Sequence, residues 1–142
     1  MRDKLITGGY YLPTILAIWI LLLLGLTLKA QTKDSVIFEL IKQEVKHPKK
    51  VLKQSLLETG NYNCTNCSLD HNNLFGFRYK GKYIEFDSWK ESISYYKQFQ
   101  DKYYKGQDYW EFLNCIWKHR NGDCATYASD EDYINKVKRI EL

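Results

Sequence analysis

The sequence lacks a charge excess, internal repeats and low-complexity segments. Of its 142 residues, 21 are Lys or Arg and 17 are Asp or Glu. Residues 31–142 keep 18 of the basic and 16 of the acidic residues, which leaves a net charge of +2. This balance excludes the strongly basic surface typical of nucleic-acid binding, so we expect no nucleic-acid partner. These 112 residues are enough for one domain with one core.

One long apolar run lies near the start of the chain. Residues 10–28 are almost uniformly apolar, Arg2 and Lys4 precede them, and Ala30 follows as a small residue. This order is typical of an export signal that is removed after Ala30. A run of about 19 apolar residues is also long enough to span a bilayer, so a retained membrane anchor is the alternative. We therefore predict a targeting segment at residues 1–30 and a domain at residues 31–142, outside the cytoplasm. We expect membrane association only through residues 10–28, if they are retained.

Histidine is scarce, and none of the three histidines lies at metal-ligand spacing from the four cysteines. An even number of cysteines in an exported chain predicts two disulfides among Cys64, Cys67, Cys115 and Cys124. Local pairing is the simplest of three arrangements, and a crossed pairing would tie two distant loops together. A zinc site at the C-x-x-C of residues 64–67 is a weaker alternative, because the other pair is nine residues apart. We expect no metal and no other cofactor.

Apolar residues at helical spacing predict about five helices. The segments are residues 33–46, residues 49–59, a helix after Ser88, a helix from Tyr109 through Trp117, and a last helix that Ser129 caps and that runs to about Ile140. Residues 75–87 alternate around a Lys80-Gly81 turn, which predicts one short β-hairpin. The predicted fold class is α+β and mostly helical.

Glu58 stands out as a candidate acid. It lies in the last turn of the helix predicted at residues 49–59 and at the edge of the apolar stripe of that helix. The negative end of the helix dipole and partial desolvation both raise the pKa of a carboxyl group there. A carboxyl group that is still protonated near neutral pH can serve as a general acid. The alternative is an ordinary solvated glutamate in a final helical turn.

Four short motifs occur in a fixed order. They are Leu57-Glu58-Thr59-Gly60, Asn72-Asn73-Leu74-Phe75-Gly76-Phe77, Phe86-Asp87-Ser88-Trp89-Lys90-Glu91-Ser92-Ile93 and Tyr127-Ala128-Ser129-Asp130-Glu131-Asp132-Tyr133. Together they resemble the bacterial peptidoglycan glucosaminidases of glycoside hydrolase family 73, and the resemblance covers most of residues 35–140. The resemblance implies a lysozyme-like fold.

The resemblance also implies an activity and a set of site residues. The activity is hydrolysis of the β-1,4 bond after N-acetylglucosamine in peptidoglycan glycan strands, with Glu58 as general acid. Tyr127 would line the sugar site, and Asn73, Phe75 and Tyr133 would shape the groove by packing or by contact. We expect a monomer in the bacterial cell envelope, either periplasmic or secreted, or anchored to the inner membrane.

The sequence departs from the family pattern mainly at the hairpin, which is too short to carry the second acidic residue found in longer relatives. Glu85 and Asp87 share a face by strand alternation, and Glu85 is our candidate for a second catalytic carboxylate. Carboxyl groups about 5–5.5 Å apart would imply retention of configuration, and about 6.5–9.5 Å inversion. Alternatively, the 2-acetamido group of the substrate assists in place of a protein carboxylate.

Smaller departures are Glu131, which replaces the usual proline, and the extra cysteines with the 118–124 loop, which could reshape the groove.

Two other functions remain as alternatives. One is a catalytically weak glycan-binding domain, and the other is a lysis toxin that uses the same chemistry on the wall of a neighbouring cell.

Overall fold

Helical residues make up about 47% of residues 31–142, the part of the chain that the computed structural model describes. The five α-helices of this part are α1 (Lys33–Lys42), α2 (Pro48–Glu58), α3 (Trp89–Tyr103), α4 (Tyr109–Asn114) and α5 (Tyr133–Arg139), and a 3-10 turn covers Ser68–His71. Side-chain caps set three of these helix starts: Thr32 accepts from the Ser35 amide, Ser88 from the Glu91 amide, and Asp108 from the Trp110 amide. Pro48 opens α2, at a position where its missing N–H loses no helical hydrogen bond.

Two antiparallel strand pairs accompany the helices. The first joins β1 (Arg78–Tyr79) to β2 (Lys82–Tyr83), and the second joins β3 (Trp117–Lys118) to β4 (Cys124–Ala125). The first pair is the predicted hairpin, with ordered strands of only two residues each. The α+β, mostly helical fold class is confirmed, and the second hairpin is an addition to it.

The predicted helix from Tyr109 through Trp117 is wrong beyond Asn114. At that point the chain leaves α4, and the Ile116 amide donates to the Ala125 carbonyl at 2.8 Å. The Cys115–Cys124 disulfide closes the same hairpin. Strand pairing and a covalent bond therefore override the helical periodicity of this segment.

Both disulfides are local, Cys64–Cys67 and Cys115–Cys124. This is the simplest of the three pairings, and it occupies the thiols that the zinc alternative would have used. Among residues 31–142 no group of three or more His, Cys, Asp or Glu side chains is arranged to hold a metal ion.

The core lies around α2, against which both α1 and α5 pack. The side chains that fill it come from every helix and from the loop after the 3-10 turn. The largest fully buried apolar and aromatic ones are Tyr96, Tyr109, Phe75, Phe112, Leu40, Leu56, Leu74, Ile93 and Leu113. Because α2 is central, the side chain at its last residue, Glu58, is surrounded by other parts of the chain.

The last helix starts later than predicted. α5 begins at Tyr133 after Asp132, whereas Ser129 lies in the preceding loop. In that loop the Asp130 side chain accepts from the Asp132 amide, and its carbonyl accepts from the Tyr133 amide, at 3.0 Å each. This turn places Tyr133 in the first turn of α5, where its side chain is buried.

The predicted targeting segment, residues 1–30, lies outside the described residues, and its role stays a prediction. Within residues 31–142, none of the helices is long and apolar enough to cross a membrane. This part of the chain forms one compact unit with its own core.

Candidate active site

Glu58 is held at an abrupt helix end. The backbone beyond α2 turns left-handed at Gly60, with φ of +54°, and the Asn61 amide donates back to the Leu56 carbonyl at 2.8 Å. This is the hydrogen bond of a Schellman-type helix stop, for which glycine is the favoured residue. The Thr59 hydroxyl also donates to the Ser55 carbonyl, at 2.6 Å, which fixes the last turn. The side chain of Glu58 is left partly buried.

The backbone of Gly76 lies directly against the carboxyl group of Glu58. A Cβ atom added at Gly76 would be 2.5 Å from Glu58 Oε2 and 3.3 Å from its carboxyl carbon. Gly76 also has φ of +66°, which side chains other than glycine rarely adopt. Glycine is therefore favoured here by the backbone conformation, and a larger residue would displace the Glu58 carboxyl group.

Asn73 fixes the loop that carries Gly76. Its side-chain amide donates to the carbonyls of Phe77 at 2.8 Å and Ile84 at 3.0 Å, and its side-chain oxygen accepts from the Phe77 amide at 3.1 Å. Asn73 is fully buried. Asn73 does not line the cleft described below, and its part in shaping the groove stays a prediction.

Two tyrosines from the last motif complete the surroundings of Glu58. The Tyr133 hydroxyl donates to Glu58 Oε1 at 2.7 Å. Its ring stacks on Tyr127, with centroids 5.7 Å apart and an interplanar angle of 25°. The Tyr127 hydroxyl in turn donates to the Phe75 carbonyl at 2.7 Å. The last motif therefore contacts both the acid and the loop beside it.

The surroundings of Glu58 favour its neutral form. Burial raises the pKa of the Glu58 carboxyl, while the hydrogen bond from Tyr133 and the positive charge of Arg78 lower it by less, so the net shift is upward. Burial and the nearby Glu58 charge also raise the pKa of Tyr133, which therefore stays a neutral donor. The direction agrees with the sequence-based expectation of a raised pKa at this position.

A buried polar cluster, which the sequence analysis missed, lies one helical turn before Glu58. Gln54 is fully buried, and its side-chain oxygen accepts from the hydroxyls of Tyr96 at 2.9 Å and Tyr109 at 2.7 Å. These two hydroxyls lie 2.6 Å apart. Gln54 and Glu58 share a face of α2 because they are four residues apart. The signal in the sequence was a glutamine on the apolar stripe of that helix.

Glu58 opens onto a cleft of about 540 Å³. The residues that line it are Glu58, Phe75, Gly76, Phe77, Arg78, Tyr83, Phe99, Ile116, Trp117, Thr126, Tyr127, Ala128 and Ser129. Of the candidate site residues, Phe75 and Tyr127 line the cleft together with Glu58. Tyr133 lies behind them and lines a smaller cavity of about 110 Å³. Trp117 and Arg78, which are not among the candidate site residues, line the cleft as well.

Glu85 is placed differently from the other candidates. It is exposed on the strand-like segment after β2 and is absent from the lining of the cleft, and Asp87 is exposed as well. Among residues 31–142, Glu58 is the one carboxylate in that lining, and Arg78 is the one cation. The assignment of Glu85 as second carboxylate stays a prediction.

A partly buried carboxyl group with a raised pKa, in a cleft lined by aromatic rings, is the arrangement expected of an acid catalyst acting on a bulky ligand. The sequence profile of the glucosaminidase family, described as mannosyl-glycoprotein endo-beta-N-acetylglucosaminidase, matches residues 36–141. The chain belongs to this family, which confirms the resemblance inferred from the four motifs. No curated protein and no solved structure gives a significant match to the chain.

Family membership supports a coarse function, that of a glycoside hydrolase acting on peptidoglycan. A domain that acts on peptidoglycan fits a location in the cell envelope or outside the cell. The two disulfides agree with that location, because disulfides persist in oxidising compartments.

Proposed function

We propose that the protein is an exported peptidoglycan hydrolase that cleaves the β-1,4 bond after N-acetylglucosamine, with Glu58 as general acid. The observation that carries the proposal is the setting of the Glu58 carboxyl group, which is partly buried at the cleft and contacts Tyr133 and Gly76. The protein acts in the cell envelope as a monomer, either free or anchored through residues 10–28.

The contacts of Glu58 favour one of its oxygens as the proton donor. Tyr133 donates to Oε1, so the acidic proton belongs on Oε2, the oxygen that lies against Gly76. Transfer of this proton to the glycosidic oxygen turns the leaving group into a neutral alcohol. The Tyr133 hydroxyl then donates to a charged carboxylate, and a hydrogen bond to an ionised acceptor is about twice as strong. The site therefore stabilises the carboxylate only as it forms.

The second half of the reaction needs a group that stabilises the sugar cation. The lining of the cleft supplies Glu58 as its one carboxylate, which favours assistance by the 2-acetamido group of the substrate. N-acetylglucosamine carries that group next to the reacting carbon. Assistance of this kind retains the anomeric configuration, because the sugar carbon is displaced twice.

The test is a digest of purified peptidoglycan by the unaltered protein, by Glu58→Gln and by Glu85→Gln as a matched control. Products are reduced with borohydride and identified by mass spectrometry, and circular dichroism checks the fold of each variant. We expect reduced N-acetylglucosamine ends from the unaltered protein and from Glu85→Gln, and none from folded Glu58→Gln. Undiminished activity in a folded Glu58→Gln protein contradicts the role of Glu58. Loss of activity in folded Glu85→Gln returns Glu85 to the second-carboxylate role.

A second candidate function is a catalytically weak glycan-binding domain. It is favoured by the single carboxylate in the lining of the cleft. Under this alternative no product ends form with any variant, while the unaltered protein and Glu58→Gln both sediment with the peptidoglycan.

A further inference from the structure

A second cavity adjoins the cleft on the side of α3. It has a volume of about 330 Å³ and is lined by Phe77, Tyr95, Gln98, Phe99, Lys102, Tyr103 and Trp117. We call it the Lys102 cavity. Phe77, Phe99 and Trp117 also line the cleft, so the two spaces are neighbours that share aromatic walls. A ligand held at Glu58 can therefore extend into the Lys102 cavity past Trp117.

The walls of this cavity are aromatic and partly open to solvent. Trp117 and Tyr95 keep 43% and 40% of their surface exposed, which is high for such large apolar side chains. The rings of Tyr103 and Trp117 lie 5.2 Å apart. Because the β3–β4 hairpin carries Trp117, the Cys115–Cys124 disulfide fixes the wall between the two spaces.

Within the described part of the chain, Lys102 provides the single charge in the lining of the cavity. Its ammonium nitrogen lies 4.8 Å from the centroid of the Tyr103 ring, and none of the carboxylates in residues 31–142 pairs with it. The neighbouring Lys97 differs, because it pairs with Asp101. The cavity thus combines apolar walls with one cation that has no counter-ion among the described residues.

We infer that the Lys102 cavity binds the acidic peptide stem of peptidoglycan, with Lys102 contacting a stem carboxylate. This inference rests on the proposed function and names a feature of its substrate. N-acetylglucosamine is uncharged, so a cavity that held only such a sugar would gain nothing from an unpaired ammonium group. A peptide stem carries both free carboxylates and short aliphatic side chains, which match the two kinds of wall. The protein should therefore prefer glycan strands that bear peptides.

The test measures binding without turnover, in the Glu58→Gln background. The full-length chain is kept in mild detergent and titrated by calorimetry with two soluble peptidoglycan tetrasaccharides, one with peptide stems and one from which an amidase has removed them. We expect the peptide-bearing ligand to bind about two- to fivefold more tightly, the range for one solvent-exposed ion pair. The preference should shrink in high salt, because salt screens exposed charges.

Substitutions identify the residue responsible. Lys102→Gln should abolish the preference, whereas Lys102→Arg should keep most of it. Lys105→Gln is the matched control, since Lys105 is exposed, carries the same charge and lines neither cavity. Equal binding of the two ligands, or an equal loss in Lys105→Gln, overturns the inference and leaves the proposed function intact. If neither ligand binds and the unaltered protein releases no fragments from peptidoglycan, both fail.

Discussion

Replacing Gly76 with alanine tests how closely activity depends on the position of the Glu58 carboxyl group. The added Cβ would lie 2.5 Å from Glu58 Oε2, whereas an ordinary van der Waals contact begins near 3.4 Å. The carboxyl group must therefore move by roughly 0.9 Å. The carboxyl group is the far end of a side chain, so the clash can be relieved without moving the backbone. Misplacement of a catalytic group by about 1 Å can lower the rate about a hundredfold.

The same substitution also strains the backbone. Alanine at a left-handed φ costs about 1–2 kcal/mol relative to its preferred conformation. Gly106→Ala is the matched control, because Gly106 has φ of +93° and open space around its Cβ position. It carries at least as much backbone strain and lines neither the cleft nor the Lys102 cavity.

The assay is the initial rate of reducing-end release from peptidoglycan, alongside thermal unfolding of each variant. We expect both variants to melt several degrees lower, and only Gly76→Ala to lose about two orders of magnitude in kcat. A Gly76→Ala protein with ordinary kcat, or an equal loss in Gly106→Ala, would refute the argument that Gly76 sets the position of Glu58.

Three further predictions concern ionisation and covalent stability. Tyr133→Phe removes a hydrogen bond that lowers the pKa of Glu58. The alkaline limb of the pH profile of kcat/KM should therefore move to higher pH, and a limb that stays in place contradicts this prediction. Because the folded pKa of Glu58 is raised above its usual 4.5, the stability that protonated Glu58 contributes is fully present below about pH 4.5. That contribution is lost as pH rises through the folded pKa. Glu58→Gln should therefore melt higher than the unaltered protein at pH 8 but not at pH 4, and an equal gain at both would count against a buried carboxylate. Reduction of Cys115–Cys124 should lower the free energy of unfolding by about 2–3 kcal/mol. Once a thiol titration has shown that reduction is complete, an unchanged Tm would disprove this prediction.

The sequence was sufficient to single out Glu58 as a candidate acid but not to show what surrounds it. Glu58 could be found because a helix end, an apolar stripe and a four-residue motif coincide at one position. Its contacts come from residues far along the chain, since Tyr133 is 75 residues away. Such contacts depend on how α5 packs against α2, which no local pattern encodes.

The β3–β4 hairpin shows a different limit. Residues from Tyr109 to Trp117 are apolar at helical spacing, and local propensity alone predicts one continuous helix. The structure ends α4 at Asn114, because the chain gains a disulfide at Cys115 and a strand pairing at Trp117 instead. Propensity is a weak prior that tertiary context overrides. The missed hairpin matters for function, because it carries Trp117 into the walls of both cavities.

Three separated segments each restrict the Glu58 carboxyl group in a different way. The end of α2 fixes where its side chain begins, the Tyr133 hydroxyl occupies Oε1, and the Gly76 backbone lies against Oε2. Asn73 in turn holds Gly76 in place through the Phe77 and Ile84 carbonyls. A carboxyl group held on both oxygens has little rotational freedom, so the direction of its acidic proton is set before a substrate binds. This preorganisation is the reason that alanine at Gly76, which leaves every ionisable group in place, should still remove most of the activity.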